Sequence, residues 1–322
     1  MHTLMYRFLY ICLLGLSLVQ PLKPAPLKVG IIVPAQHPAM KAIVEGIQES
    51  LRDQNVTLDI QNAQGDTILQ QTIIQRMIAK KFDILMPLGT ATALMTLALA
   101  PKTPTIAVAA SFETHPDVKK AAHNLTVIND EISCRPVLKL LHKQIPKLTE
   151  IGILYTNSEK NIPDIEKAKA FCATNNLKIH LRKVDSIQEV LQFTPTLAKQ
   201  VQVLLVLKDH LVVSAISTVI AETQRAGCLL FVMDDGSVRQ GAPVGLGILE
   251  KDIGRAAGKA LAEGISKGLP PGVREIPLRS LRLFLNSKTF PQQALLKKKS
   301  LEKFSQAEGI SIDYVARQEL QK

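Results

Sequence analysis

Strand-length apolar runs alternate with longer segments of helical periodicity along almost the whole chain, and the alternation comes in two successive blocks. Residues 27–33 read as a first strand, and 40–54 as an amphipathic helix with Met40, Ile43, Val44, Ile47 and Leu51 on one face. Strands over 56–60, 84–88 and 105–109 follow, separated by helices over 67–80 and 92–99. The pattern then restarts with a helix over 135–144 and strands over 150–155, 178–183, 203–207 and 229–233, with helices over 162–175, 187–197 and 212–226 between them. Strands joined through helices pair in parallel, so each block builds a parallel sheet covered on both faces. Two blocks of about 100 residues each point to two lobes instead of one large sheet.

Composition supports this reading. Aromatics make up 4% of the 322 residues and Trp is absent, so the core is aliphatic, as strands buried on both faces require. After the second block come a short strand near 244–247, a strong helix over 252–267, the breaker Gly268-Leu269-Pro270-Pro271-Gly272, and strand character over 281–286. Such material can return to either lobe, as a hinged two-lobe protein needs.

The formal charge is +11, from 39 Lys and Arg against 28 Asp and Glu. The cations are scattered over helix surfaces, and the one cluster, Lys297, Lys298 and Lys299, has no interleaved aromatic residues for base stacking. No nucleic-acid partner is expected. The N-terminal MHTLMYR and the apolar run 8–19 have the form of a secretory signal, so residues 1–26 are expected to be a signal peptide or a retained N-terminal anchor, with a periplasmic or envelope location. Cys12 lies inside the apolar run, where a lipid-attachment site is not expected. Cys134, Cys172 and Cys228 form no disulfide framework or CxxC pattern and read as small buried apolar residues.

The segments VGIIVPAQHPAMKAIVEGI from Val29, QNAQGD at 61–66, the Gly89-Thr90-Ala91-Thr92 turn, YTNSEKN at 155–161, LVLKD ending at Asp209 and FVMDDGSVRQGAPVGLGILEKDIGR at 231–255 occur in a characteristic order. In these the chain resembles the ABC transporter substrate-binding protein family, whose characterised members bind aromatic amino acids. The resemblance implies an α/β type I periplasmic binding protein, two Rossmann-like lobes with parallel sheets joined by a three-crossover hinge. By analogy, 27–129 with 235–266 form lobe 1, and 130–234 with 267–322 form lobe 2. The chain departs from the pattern at Gln36, where Glu is common, and at Lys208-Asp209-His210, which replaces a Thr-Asp-Asn-like loop.

Ligands in such sheets bind beyond the carboxyl ends of the strands. After the first strand, Pro38 is compatible with an ordinary helix start, and equally with a loop presenting His37 to a ligand. Thr90, Ala91 and Thr92 open a helix whose free N–H groups favour a carboxylate, although a plain Thr cap is the alternative. Ser158 and Glu159 repeat the arrangement in the second block, with Ser158 matching the family's serine. Asp209, Asp234 and Asp235 follow strands and are candidates for a ligand ammonium. Ser111 begins a loop, SFETHPD, that would line the cleft; its Glu113 and His115, with His123 nearby, allow a metal site as an alternative, but the three do not stand at a recognisable ligand spacing. Ser158 and Asp234 are expected to act from opposite lobes.

Nothing pairs a nucleophile with a base, no phosphate-binding loop is present, and the Gly245-Leu246-Gly247 segment is a poor dinucleotide fingerprint. With the family resemblance, which implies the ligand class and the permease, the expectation is a monomeric binding protein and not an enzyme, without cofactor or metal, that captures an amino acid, aromatic or large and apolar, for a membrane ABC permease. The alternative is an exported sensor or scaffold of the same fold that regulates an envelope complex.

Overall fold

The computed structural model describes residues 25–36, 38–158 and 161–315. Two sheets carry the molecule. The first holds β1 (Leu27–Val33), β2 (Val56–Asn62), β3 (Ile84–Pro87), β4 (Thr105–Val108), β5 (Asn124–Asn129) and β11 (Gly272–Pro277), in the order β11-β5-β4-β3-β1-β2. All its neighbours are parallel. The second holds β6 (Glu150–Tyr155), β7 (Lys178–Lys183), β8 (Val203–Val206), β9 (Leu229–Val232), β10 (Val244–Gly247), β12 (Arg282–Asn286) and β13 (Ser311–Val315), in the order β13-β12-β10-β9-β8-β6-β7. It is mostly parallel, with β12 running antiparallel to β10.

The central strands read as continuous apolar runs because helices cover both faces: Val203, Leu204, Leu205 and Val206 of β8 are all buried. Alternate β8 residues feed separate cores, Val203 and Leu205 on one face of the sheet and Leu204 and Val206 on the other. The helix expected over 212–226 is two, His210–Ser214 and Ile216–Ala226, broken at Ala215.

The chain crosses between the sheets three times: after β5, after β10 and after β11. The first falls at the expected 129/130 boundary, while the second and third differ from those expected. The helix Asp235–Gln240 and β10 stay with the second lobe, since β10 pairs with β9 and β12, so the return occurs after Gly247 and not at 235. Likewise β11, which pairs with β5, keeps the chain in the first lobe past 267.

The helix Glu250–Lys267 packs in the first lobe, where Ile253, Ala257 and Leu261 share a core with Val29, Ile31 and Ile43. It lies against the helix Pro38–Ser50 at backbone contact. A Cβ added at Gly254 would run into the Ile43 carbonyl, and one at Gly46 into the Lys251 carbonyl. Glu49 bonds Lys251 at 3.0 Å and Arg255 at 3.2 Å across the same seam.

Candidate functional site

Three groups of residues gather where the strands end. In the first lobe, the Thr90–Leu99 helix begins from Gly89, whose φ of 84° lies in the left-handed region that favours glycine. No side chain caps this helix. The Thr90 hydroxyl accepts a hydrogen bond from the Ser111 N–H at 3.1 Å, tying the ends of β3 and β4 together, while Ala91 is exposed beside it. Thr92 departs from its expected place on the cleft: it is 2% exposed, and its hydroxyl donates to Gln70 Oε1 inside the lobe at 3.4 Å. A residue two positions into a helix turns back over the sheet, which the turn sequence alone does not reveal.

In the second lobe, Asp209 is saturated by its own chain. Oδ2 accepts from Thr156 N at 2.6 Å, Thr156 Oγ1 at 2.8 Å and Asn161 Nδ2 at 2.6 Å; Oδ1 accepts from Leu211 N at 3.0 Å and Val212 N at 3.4 Å. Five donors fill a carboxylate with about four lone-pair sites, leaving no place for a ligand ammonium. Asp209 is thus a buried brace between β6 and β8, contrary to expectation. Asn161 and Thr156 complete it, and sequence reasoning missed both as partners. The Ser158 hydroxyl accepts from Asn161 N at 3.3 Å, so it caps the Asn161–Thr174 helix. His37 and Glu159 lie outside the described residues.

The third group follows β9 in the second lobe and lies beside the second crossover at Glu250. Asp234 caps the short Asp235–Gln240 helix, accepting from Ser237 N at 2.6 Å and Ser237 Oγ at 2.7 Å. Burial pushes its carboxyl up; the Ser237 hydrogen bonds and Lys208 oppose that shift, and Asp235 adds to it. Because this segment belongs to the second lobe, Asp234 and Ser158 stand on the same lobe, not opposite ones. Asp235 pairs with Arg239 at 3.0 Å, and its other oxygen faces the Glu250 N–H at 3.5 Å.

A cleft of about 510 Å³ opens beside these acids. The first lobe lines it with Gln36, Pro38, Lys41 and Glu45, the second with Asp235, Gly236 and Arg239, and the crossover with Leu249, Glu250 and Lys251. Its wall therefore carries three cations and three carboxylates. Of the expected site residues, Pro38 and Asp235 line this cleft; Thr90, Ala91, Ser111 and Ser158 stand at strand ends beyond its lining.

Glu250 and its neighbour Lys208 were not singled out as site residues from sequence. Lys208 Nζ lies 2.6 Å from Asp130 Oδ2 and 3.2 Å from Glu250 Oε1, with all three side chains largely buried. Burial works against the Lys208 charge, but Asp130 and Glu250 outweigh it and raise its pKa. Burial pushes Glu250 up to about 7, against Lys208 and aided by Asp130, Asp235 and Asp234. The only sequence signal was Lys208 itself, a departure from the family pattern.

Cys134, Cys172 and Cys228 are free and buried, and burial raises the Cys134 and Cys228 thiols to about 12. Among the described residues, no three His, Cys, Asp or Glu side chains are grouped to hold a metal ion. Nor is any described helix long and apolar enough to cross a membrane.

Comparison with known proteins places most of the chain in one family. Residues 28–307 match the family described as ABC transporter substrate binding protein. The uncharacterized protein RP367 of Rickettsia prowazekii is 32% identical over 86% of this chain and 88% of its own length. A tyrosine-binding protein of Clostridioides difficile is 26% identical over 79% of this chain and 76% of its own. The fold matches that of an ABC domain from Streptococcus pneumonia, solved in complex with L-Trp, with a TM-score of 0.74, 22% identity and coverage of 86% of this chain and 98% of that one.

Proposed function

The chain belongs to the ABC transporter substrate-binding protein family, whose members bind solutes and are not enzymes, and from that premise we propose that it captures an aromatic or large apolar amino acid between its lobes, outside the cytoplasm, for delivery to an ABC permease. The observation that carries the choice of an amino acid is the mixed-charge wall of the inter-lobe cleft. A zwitterion needs both signs within one small volume, and this wall carries Asp235 paired with Arg239 and Glu250 paired with Lys208, beside Lys41 and Lys251. The tyrosine-binding relative and the L-Trp-bound neighbour support an aromatic side chain on the ligand.

Binding that bridges two lobes stabilises the arrangement in which both contact the solute, and the permease would recognise that form. Calorimetry of the purified protein with the twenty amino acids, and with representative sugars and nucleosides, tests the reading. L-tyrosine, L-tryptophan or L-phenylalanine should bind and raise the melting temperature, since ligand at about 100 times its Kd adds about 2.7 kcal/mol. Silence across the amino acids, with a sugar or nucleoside binding instead, would reject it.

A further inference from the structure

Lys208 stands just past the end of β8, in the body of the second lobe, yet neither of its partners does. Asp130 follows β5 on the first crossover, and Glu250 opens the helix that carries the second crossover into the first lobe. A single ammonium at 2.6 Å and 3.2 Å thus ties two of the three inter-lobe connections to one strand end. The third connection carries a more exposed counterpart. Arg282, the first residue of β12, holds Asp252 of the Glu250–Lys267 helix at 2.7 Å and Asp313 of β13 at 3.1 Å.

Ion pairs at such places are not surface decoration. The Lys208 side chain is 15% exposed, and those of Asp130 and Glu250 are 3% and 5% exposed. A charge removed from water to this degree is tolerated only while its counter-charges stay in contact, and separating one partner leaves the other buried and uncompensated. Rotating the lobes about the crossovers changes where the first and second connections lie relative to the end of β8. Such a rotation therefore acts on the Lys208 contacts directly.

We propose that Lys208 is an ionic latch on the hinge: by joining Asp130 and Glu250 to the end of β8, it confines the lobes to one relative orientation. Without it, the same fold samples a wider range of lobe separations. Because Glu250 also lines the cleft, the latch sets the geometry that an incoming solute meets.

The test needs no ligand, so its outcome is independent of which solute the protein binds. Spin labels are placed through Ile68→Cys on the first lobe and Ile187→Cys on the second, positions that are 77% and 42% exposed, while the described native cysteines are buried. Pulsed electron–electron resonance then reads the distribution of inter-lobe distances in the full chain, with circular dichroism confirming that each variant is folded. Lys208→Met should gain a second population of lobe separations that the otherwise unsubstituted labelled protein lacks. Asp130→Asn and Glu250→Gln, which keep shape but remove charge, should each produce part of that change, and Lys208→Met combined with Glu250→Gln no more than Lys208→Met alone. Should Lys208→Met fail to fold, the two acid variants carry the test. A distance distribution unchanged from wild type in the folded variants would overturn the latch.

Discussion

Asn161 Nδ2 meets Asp209 Oδ2 at 2.6 Å, so the first residue of one helix grips the N-cap of another and locks the ends of β6 and β8 side by side. Asp209 is 3% exposed and Asn161 4%. Removing the acid strands the Thr156 and Asn161 donors in the protein and uncaps the His210–Ser214 helix. Asp209→Ala should therefore lower unfolding free energy by about 3 kcal/mol, from lost charge-assisted hydrogen bonds and buried unpaired donors. Urea denaturation measures it. A loss within about 0.5 kcal/mol, the range of an ordinary surface change, would show the brace to be idle.

Two effects oppose each other at Gly254. Helix propensity favours Ala there by about 1 kcal/mol. The new Cβ, however, would press on the Ile43 backbone carbonyl, which cannot swing aside as a side chain end can. Overpacking costs about 1–3 kcal/mol, and a backbone obstacle puts this site at the upper end. Gly254→Ala should lower the melting temperature. Gly264→Ala, in the same helix but facing only the movable Leu269 side chain, should leave it level or higher.

Glu250 supplies a pH dependence whose sign is the reverse of ordinary acid denaturation. Its carboxyl is raised from 4.5 to about 7 in the folded chain, so between those values the folded state binds more protons than the unfolded. Stability from this group is therefore highest at low pH and declines as pH rises from about 4.5 to about 7, by up to about 3 kcal/mol. Lys208, Asp130, Asp234 and Asp235 face it directly, with Arg239 behind Asp235, and Lys41, Glu45 and Lys251 lie around the same cleft. Glu250→Gln should remove that slope from a plot of unfolding free energy against pH. An unchanged slope would place the titration elsewhere.

The parts of the fold legible in the sequence are those where burial writes a continuous apolar run. β1, with Lys-Val-Gly-Ile-Ile-Val after Leu27, and β8, with Val-Leu-Leu-Val, are of this kind. β5 escaped because it is bounded by Asn124 and Asn129 and interrupted by Thr126. β11 and β13 escaped because their polar residues, Arg274 and Glu275 in one and Ser311 and Asp313 in the other, dilute the pattern. The family analogy puts the second crossover at 235, whereas β10 keeps the chain in the second lobe until after Gly247. Strand-end acids could be found from sequence, but not their occupations. Asp209 and Asp235 look alike in the chain, and only tertiary neighbours make one a saturated brace and the other a cleft wall. Lys208 reads as a mere oddity until Asp130, 78 residues away, is brought against it.

That distinction between the acids can be tested on Asp235, Asp234 and Ser158. Asp235 borders the cleft, with one oxygen on Arg239 and the other toward the Glu250 N–H, and we propose that this Asp235–Arg239 pair meets whatever occupies the cleft. Asp234, one residue earlier, spends both oxygens on Ser237, and Ser158 spends its hydroxyl on the start of its own helix. With L-tyrosine or L-tryptophan as the probe, Asp235→Asn should weaken binding about ten- to a hundredfold, the loss of one charge-assisted hydrogen bond worth about 1.5–3 kcal/mol. The melting temperature of its ligand-free form should stay within a few degrees of wild type. Asp234→Ala should do the opposite, lowering the melting temperature through a lost cap worth about 1 kcal/mol or more. Ser158→Ala should lose a similar amount, and any fall in affinity beyond it would restore the serine to the ligand site. Calorimetric titration and thermal melts on the same samples decide among these outcomes. If Asp235→Asn bound like wild type while Asp234→Ala lost affinity without losing stability, the assignment of the two acids would have to be exchanged.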